Sequence, residues 1–188
     1  SRFLTRTRPS NGRWQVTSKR KHHVVVRTEE QLHISSPAFL DKKPIPTKYA
    51  HPGVAGGKNI SVPLSWSGIP GATKSFALSI IDPHPVARNW IHWFIIDLSP
   101  HVTSLAEGAS GKNIPPGAKE LYNSYGSLGY GGPEPPPGSG PHPYEVVLYA
   151  LNSEKLDLPL NATLQAFNKA LEGKVVATAK LTGIFERL

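Results

Sequence analysis

The chain has 188 residues, no cysteine and no methionine, which suits one domain plus an extension and excludes disulfides and thiolate metal sites. Its net charge of +8 is unevenly placed: residues 1–27 carry eight basic side chains and no acid, while the remainder balances 13 basic against 13 acidic residues. The globular part is therefore neutral, which excludes a basic domain surface, and runs such as Trp93–Ile96 are far too short to span a bilayer.

In chain order, residues 1–27 read as a basic extension and 28–188 as one domain. The first 23 residues are rich in Arg, Ser and Thr and lack apolar periodicity. They resemble a leftover organellar presequence or a solvated arm, and the serine at position 1 fits a processed or truncated start. Arg2, Arg6, Arg8, Arg13, Lys19, Arg20 and Lys21 are the candidates for contact with RNA or a partner protein, because a flexible cationic arm gains counterion release on a polyanion. A disordered tail is the plain alternative.

From Val24 onward the pattern is that of β-structure. Val24–Arg27 and Gln31–Ser35 are short β-branched runs. Ile60–Trp66, Ser75–Asp82, Trp90–Leu98 and Glu145–Leu151 are the main strand candidates, each bounded by Pro, Gly, Ser or Asn. Ser75–Ile81 alternates imperfectly, as a strand covered on both faces does. One helix is predicted after Asn161, its N-cap, with Leu164, Phe167 and Leu171 on one face and Gly173 as the stop. Lys174–Ile184 closes the domain as one strand or two short ones. Irregular spacing and long loops argue for a two-sheet antiparallel sandwich with one C-terminal helix.

Two segments carry candidate chemistry. Asp82 ends an apolar strand, Pro83 breaks the ladder, and a second strand follows with His92 inside Trp90-Ile91-His92-Trp93. Hairpin-like adjacency brings Asp82 toward His92, and a carboxylate fixes the tautomer of an imidazole. The second segment, Gly129 to Tyr144, is a Gly/Pro loop with three consecutive prolines at 135–137. Proline gives no N–H to a ladder, so this stretch reads as a stiff loop. It lacks the strand–loop–helix setting of a phosphate-binding P-loop. On an extended segment His142 and Tyr144 share a face.

Together these segments resemble the two signature regions of the phosphatidylethanolamine-binding protein family, which includes Raf kinase inhibitor protein and the plant flowering locus T proteins. The resemblance points to its bacterial and archaeal branch and runs from about Leu32 to Ile184. It is carried by "SSPAF", "PIPTKYA", "ISVPLSWSGIP", "FALSIIDPHP", "WIHWFIIDL", "GYGGPEPPPGSGPHPYEVVLYAL" and "LDLP", in family order. It implies a sandwich with a shallow pocket for phosphate-like anions or phosphorylated head groups. Asp82, His92, Gly132, Pro133, Pro135, His142 and Tyr144 match the pocket residues; the histidines and the tyrosine would donate to the anion while Asp82 steadies His92. Where the family has Asp-Pro-Asp-Ala-Pro, this chain has Asp82-Pro83-His84-Pro85-Val86. Glu134 stands where the bacterial branch often has cysteine, and Pro143 where an arginine is common. His51-Pro52-Gly53 replaces Cys-Asp-Gly. A carboxylate at 134 either points away or disfavours an anion.

The first expectation is a non-enzymatic module that binds a phosphorylated ligand, without a cofactor, and modulates or scaffolds a partner protein. The alternative is a structural subunit of an organellar assembly such as a mitochondrial ribosome, the arm lying on RNA or neighbouring proteins. That alternative favours a mitochondrial or other organellar matrix over the cytoplasm. A hydrolase using Ser124, Ser127 or Ser139 lacks a nucleophile-elbow motif, and a metal site of His84, His92 and His142 matches no short ligand spacing.

Overall fold

The computed structural model describes residues 31–188; the basic arm with Arg2, Arg6, Arg8, Arg13, Lys19, Arg20 and Lys21, and the strand expected at Val24–Arg27, lie outside the described residues. In chain order the elements are β1 (His33–Ser35), β2 (Lys43–Pro44), a 3-10 turn (Thr47–Tyr49), β3 (Leu64–Ser67), β4 (Ser75–Asp82), β5 (Trp90–Leu98), β6 (Ser104–Leu105), β7 (Lys119–Glu120), β8 (His142–Leu151), α1 (Leu164–Leu171) and β9 (Val175–Phe185). They form a three-stranded sheet, β1-β3-β6, and a six-stranded sheet, β2-β9-β8-β4-β5-β7. Pairing is antiparallel throughout except at the edge, where β2 runs parallel to β9.

The six-stranded sheet is covered on both faces. Phe76, Leu78 and Ile80 of β4 pack with Trp66, Leu64, Trp93 and Tyr144 between the sheets. Ala77 of β4 joins Phe94, Ile96, Phe167 and Leu171 beneath the helix. That double cover is why β4 reads as an almost unbroken apolar run and not as a clean alternation. Phe167 of α1 stacks on Phe94 with ring centroids 4.3 Å apart and meets Tyr149 edge-on.

Several boundaries differ from the sequence reading. The helix is capped by Thr163, whose hydroxyl accepts from the Ala166 N–H at 3.1 Å; Asn161 lies two residues too early. The Ile60–Trp66 candidate pairs only from Leu64, because Pro63 has no N–H and the Ser61 carbonyl and hydroxyl are taken by Gly108 and Ser110. Strand β8 begins three residues before Glu145 and includes Pro143. The proline is tolerated there because β4 ends at Asp82, just past the Ile81–Glu145 pair, so β4 asks no hydrogen bond of position 143. The Lys174–Ile184 candidate is one continuous strand, β9 at Val175–Phe185, paired with β8 over its length.

Phe167→Ala opens a hole under α1 while leaving the sheet-to-sheet core intact. We expect a loss of about 3–5 kcal/mol, read as a lower urea midpoint at unchanged slope.

Candidate functional site

The site lies where β4 ends, β5 begins and the Gly/Pro loop enters β8. In the β4–β5 ladder Ile80 opposes Trp93 and Ile81 opposes Ile91, so His92 is the extra residue of a bulge. Bulges re-aim a side chain, and here the imidazole turns to the Gly131 carbonyl, 2.6 Å from Nδ1. That contact requires the proton on Nδ1, which leaves Nε2 of the neutral ring as an acceptor. Burial, the dominant effect, lowers the pKa of His92 from 6.5 to about 4; the bond to Gly131 and the nearby Asp82 pull more weakly in the other direction.

Asp82 serves a different histidine from the one expected. Its Oδ2 lies 2.6 Å from Nδ1 of His142, and both side chains are buried. The topology explains the exchange: β4 lies between β5 and β8, and the bulge carries the His92 ring to the loop while the first residues of β8 come level with the end of β4. Asp82 Oδ1 accepts the His84 N–H at 2.9 Å. The His84 ring, where the family has a second aspartate, stacks on His142 with centroids 3.7 Å apart and planes 9° from parallel. His84 Nδ1 accepts the Val86 N–H. The two rings lie face to face instead of converging on a point, and among the described residues no group of three His, Asp or Glu could hold a metal ion.

His142 has no free polar atom. Its Nε2 is 2.8 Å from the Ser139 hydroxyl, which lies 2.6 Å from the Pro136 carbonyl. A carbonyl only accepts, so the serine proton goes to Pro136 and the Ser139 oxygen faces Nε2 as an acceptor. Asp82, His142 and Ser139 thus follow each other in the order of a catalytic relay, yet Ser139 is not among the residues that line the cleft. Ser124 accepts the Ile91 N–H, and Ser127 is bound to Asn123.

The cleft has a volume of about 320 Å³. Of the residues expected from sequence, Asp82, His92, Pro135, His142 and Tyr144 line it. Gly132 and Pro133 do not. The Gly132 N–H donates to Asn59 Oδ1 at 2.7 Å, and a Cβ at 132 would sit 2.2 Å from the Tyr49 carbonyl oxygen. The glycine is thus needed for close passage of two backbones, and its amide is not offered to a ligand. Pro133 is buried, and its carbonyl accepts the His51 N–H.

Sequence reasoning missed Trp90 and Tyr125 as walls. Tyr125 comes from the connection between β7 and β8, where Asn123 Oδ1 accepts its N–H and that of Ser127. Its hydroxyl donates to the Gly132 carbonyl at 2.6 Å, and burial pushes its pKa up. Trp90 meets it edge-on at 5.4 Å, and His51 stacks on it at 4.4 Å. Glu134 lines the cleft as well; it pairs with His51 at 2.7 Å and lies 4.0 Å from Arg187. Val86, Ala87 and Pro136 complete an apolar rim.

The depressed pKa of His92 ties stability to pH. From pH 6.5 down to about 4 the unfolded imidazole takes a proton that the folded one refuses, so stability is lost as pH falls through that window, by about 3 kcal/mol in all. His92→Gln should flatten this acid limb, seen as a smaller drop in urea midpoint between pH of about 7 and about 5 than in the parent.

The sequence and the fold both have known relatives. A family model described as phosphatidylethanolamine-binding protein matches residues 35–186. A UPF0098 protein of the archaeon Methanothermobacter thermautotrophicus is 41% identical over 157 residues, covering 83% of this chain and 99% of its own. The UPF0098 protein YbcL of Escherichia coli is 37% identical over 138 residues, covering 71% of this chain and 75% of its own. The crystal structure of YbcL, described as a new member of the mammalian PEBP family, superposes with a TM-score of 0.79 at 32% identity, over 85% of this chain and all of that one. A PEBP homologue from Chlamydia trachomatis does so with a TM-score of 0.72 at 37% identity, over 84% and 99%. With the pocket segments inside the matched range and archaeal and bacterial relatives aligned over most of both chains, the protein belongs to the phosphatidylethanolamine-binding protein family, in its bacterial and archaeal branch.

Proposed function

We propose that the chain is a non-enzymatic binding module that seats a small ligand of head-group size in the cleft and presents the filled cleft to a protein partner. The observation that carries this reading is that, His92 Nε2 excepted, the polar atoms of Asp82, His92, His142 and Tyr125 are engaged inside the protein. Both oxygens of Asp82, both nitrogens of His142, Nδ1 of His92 and the hydroxyl of Tyr125 have protein partners. An unengaged nucleophile poised beside a base, which a hydrolase needs, is not found among the residues that line the cleft. What the cleft offers is shape: aromatic and proline walls around a polar floor, the usual make-up of a small-ligand site. The family's description makes a phosphorylated head group the first class to test.

A second reading, a structural subunit of a large organellar assembly, is favoured by one feature: all of the chain's excess positive charge sits in residues 1–27. Such a segment adheres to polyanions without needing the cleft.

Two outcomes are expected. Trp90 is 37% exposed at the start of β5, so Trp90→Ala should lower calorimetric affinity for phosphoethanolamine by about tenfold or more and leave the melting temperature almost unchanged. Hydrolysis of p-nitrophenyl acetate should proceed no faster with the native protein than with the Ser139→Ala variant; a serine-dependent rate would end the non-enzymatic reading.

A further inference from the structure

We infer that the open margin of β9 is covered by the chain's own Val24–Val26 run, added as one more strand at the edge of the larger sheet.

Strand β9 pairs with β8 along one side. On its other side β2 meets it only at Gly183 and Ile184, and among the described residues no other strand pairs there. The Lys42 N–H donates to the Thr182 carbonyl, and the Thr182 N–H donates to Asp41 Oδ1, so both backbone groups of Thr182 face away from β8. Alternation along the strand turns the N–H and C=O of Lys180 and Thr178 to that same side. Such a row of donors and acceptors is a template for an added strand. The margin is apolar at its start as well, where Val175 and Val176 are 42% and 37% exposed.

The occupant follows from where the chain enters the domain. β1, the outer strand of the smaller sheet, lies against β9 without joining its ladder. The residues before His33 therefore meet the domain on the flank that carries the open margin. Val26 stands five residues before Gln31, a reach of about 17 Å for extended chain. Stacked sheets lie about 10 Å apart, so the run can cross from one sheet to the edge of the other. Its composition suits the place. Three consecutive valines favour a strand, and no proline occurs from His22 to Gln31 to withhold an N–H from the ladder. A tethered segment also faces the margin at an effective concentration of millimolar order, which a separate chain in dilute solution does not reach.

Backbone amide exchange on the full chain, followed residue by residue by NMR, tests this. The Thr178 and Lys180 amides should be protected. Val24→Pro together with Val25→Pro removes an N–H from the run whichever of the two faces β9. That pair should speed exchange at 178 and 180 by at least about tenfold and leave Leu148, held between β4 and β9, unchanged. A spin label on Val26→Cys, in a chain with no other cysteine, should broaden the Thr178 and Lys180 signals of its own chain. In a mixture of spin-labelled chains with isotope-enriched chains that carry no spin label, the broadening should vanish. Exchange at 178 and 180 as fast as in an unfolded chain overturns the inference, and so does protection that survives the proline pair. Broadening that persists in the mixture assigns the margin to a second copy and overturns it too.

Discussion

The contact on which the rest of the site depends is the 2.6 Å bond between Asp82 and His142. It closes the gap between the last residue of one central strand and the first residue of its neighbour. Both partners are buried, so removing one alone would strand the other at a cost of about 3–5 kcal/mol. Replacing both with apolar side chains need not cost as much, so bulk stability is a poor account of why the pair is there. Its effect is positional. With Asp82 fixed, His84 is drawn in by its own amide and lies flat on His142; with His142 fixed, Ser139 and the proline loop are held against the strand.

The other half of the site is set by backbone geometry. One surplus residue in the β4–β5 ladder swings His92 out of line, and a residue without a side chain at 132 lets the loop slide past Tyr49–His51. These two local irregularities bring the carbonyl of Gly131 to the imidazole and that of Gly132 to the Tyr125 hydroxyl. The floor of the cleft is therefore assembled mainly from groups that bind each other, with the open space left to aromatic rings and carboxylate edges.

Much of this was legible in the sequence, for identifiable reasons. Strands β4 and β5 were read to the residue because Pro, Gly and Asn punctuate both ends of two buried runs. The helix was found from Leu164, Phe167 and Leu171, but Asn161 and Thr163 both satisfy the capping preference, and only the observed acceptor contact decides between them. The partner of Asp82 was misassigned because sequence proximity favours the hairpin neighbour, whereas the bulge and the order of strands favour β8. Gly132 matches a pocket residue in the sequence yet lies outside the cleft, because a glycine that admits a ligand and one that admits another backbone look the same in one dimension. Tyr125 was missed because its place is fixed by a hub at Asn123 within a connection that has almost no ladder of its own.

The margins of the two sheets have a consequence for association. Among the described residues the larger sheet terminates in β2 and β7, two residues each, and the smaller in β1 and β6, three and two. β2 meets β9 only at Gly183 and Ile184, so from Val175 to Leu181 strand β9 is paired, among these residues, with β8 alone and forms a longer margin along which a foreign chain could add a strand. At the other margins, two or three residues long, recognition of another macromolecule falls to side chains and surface contour.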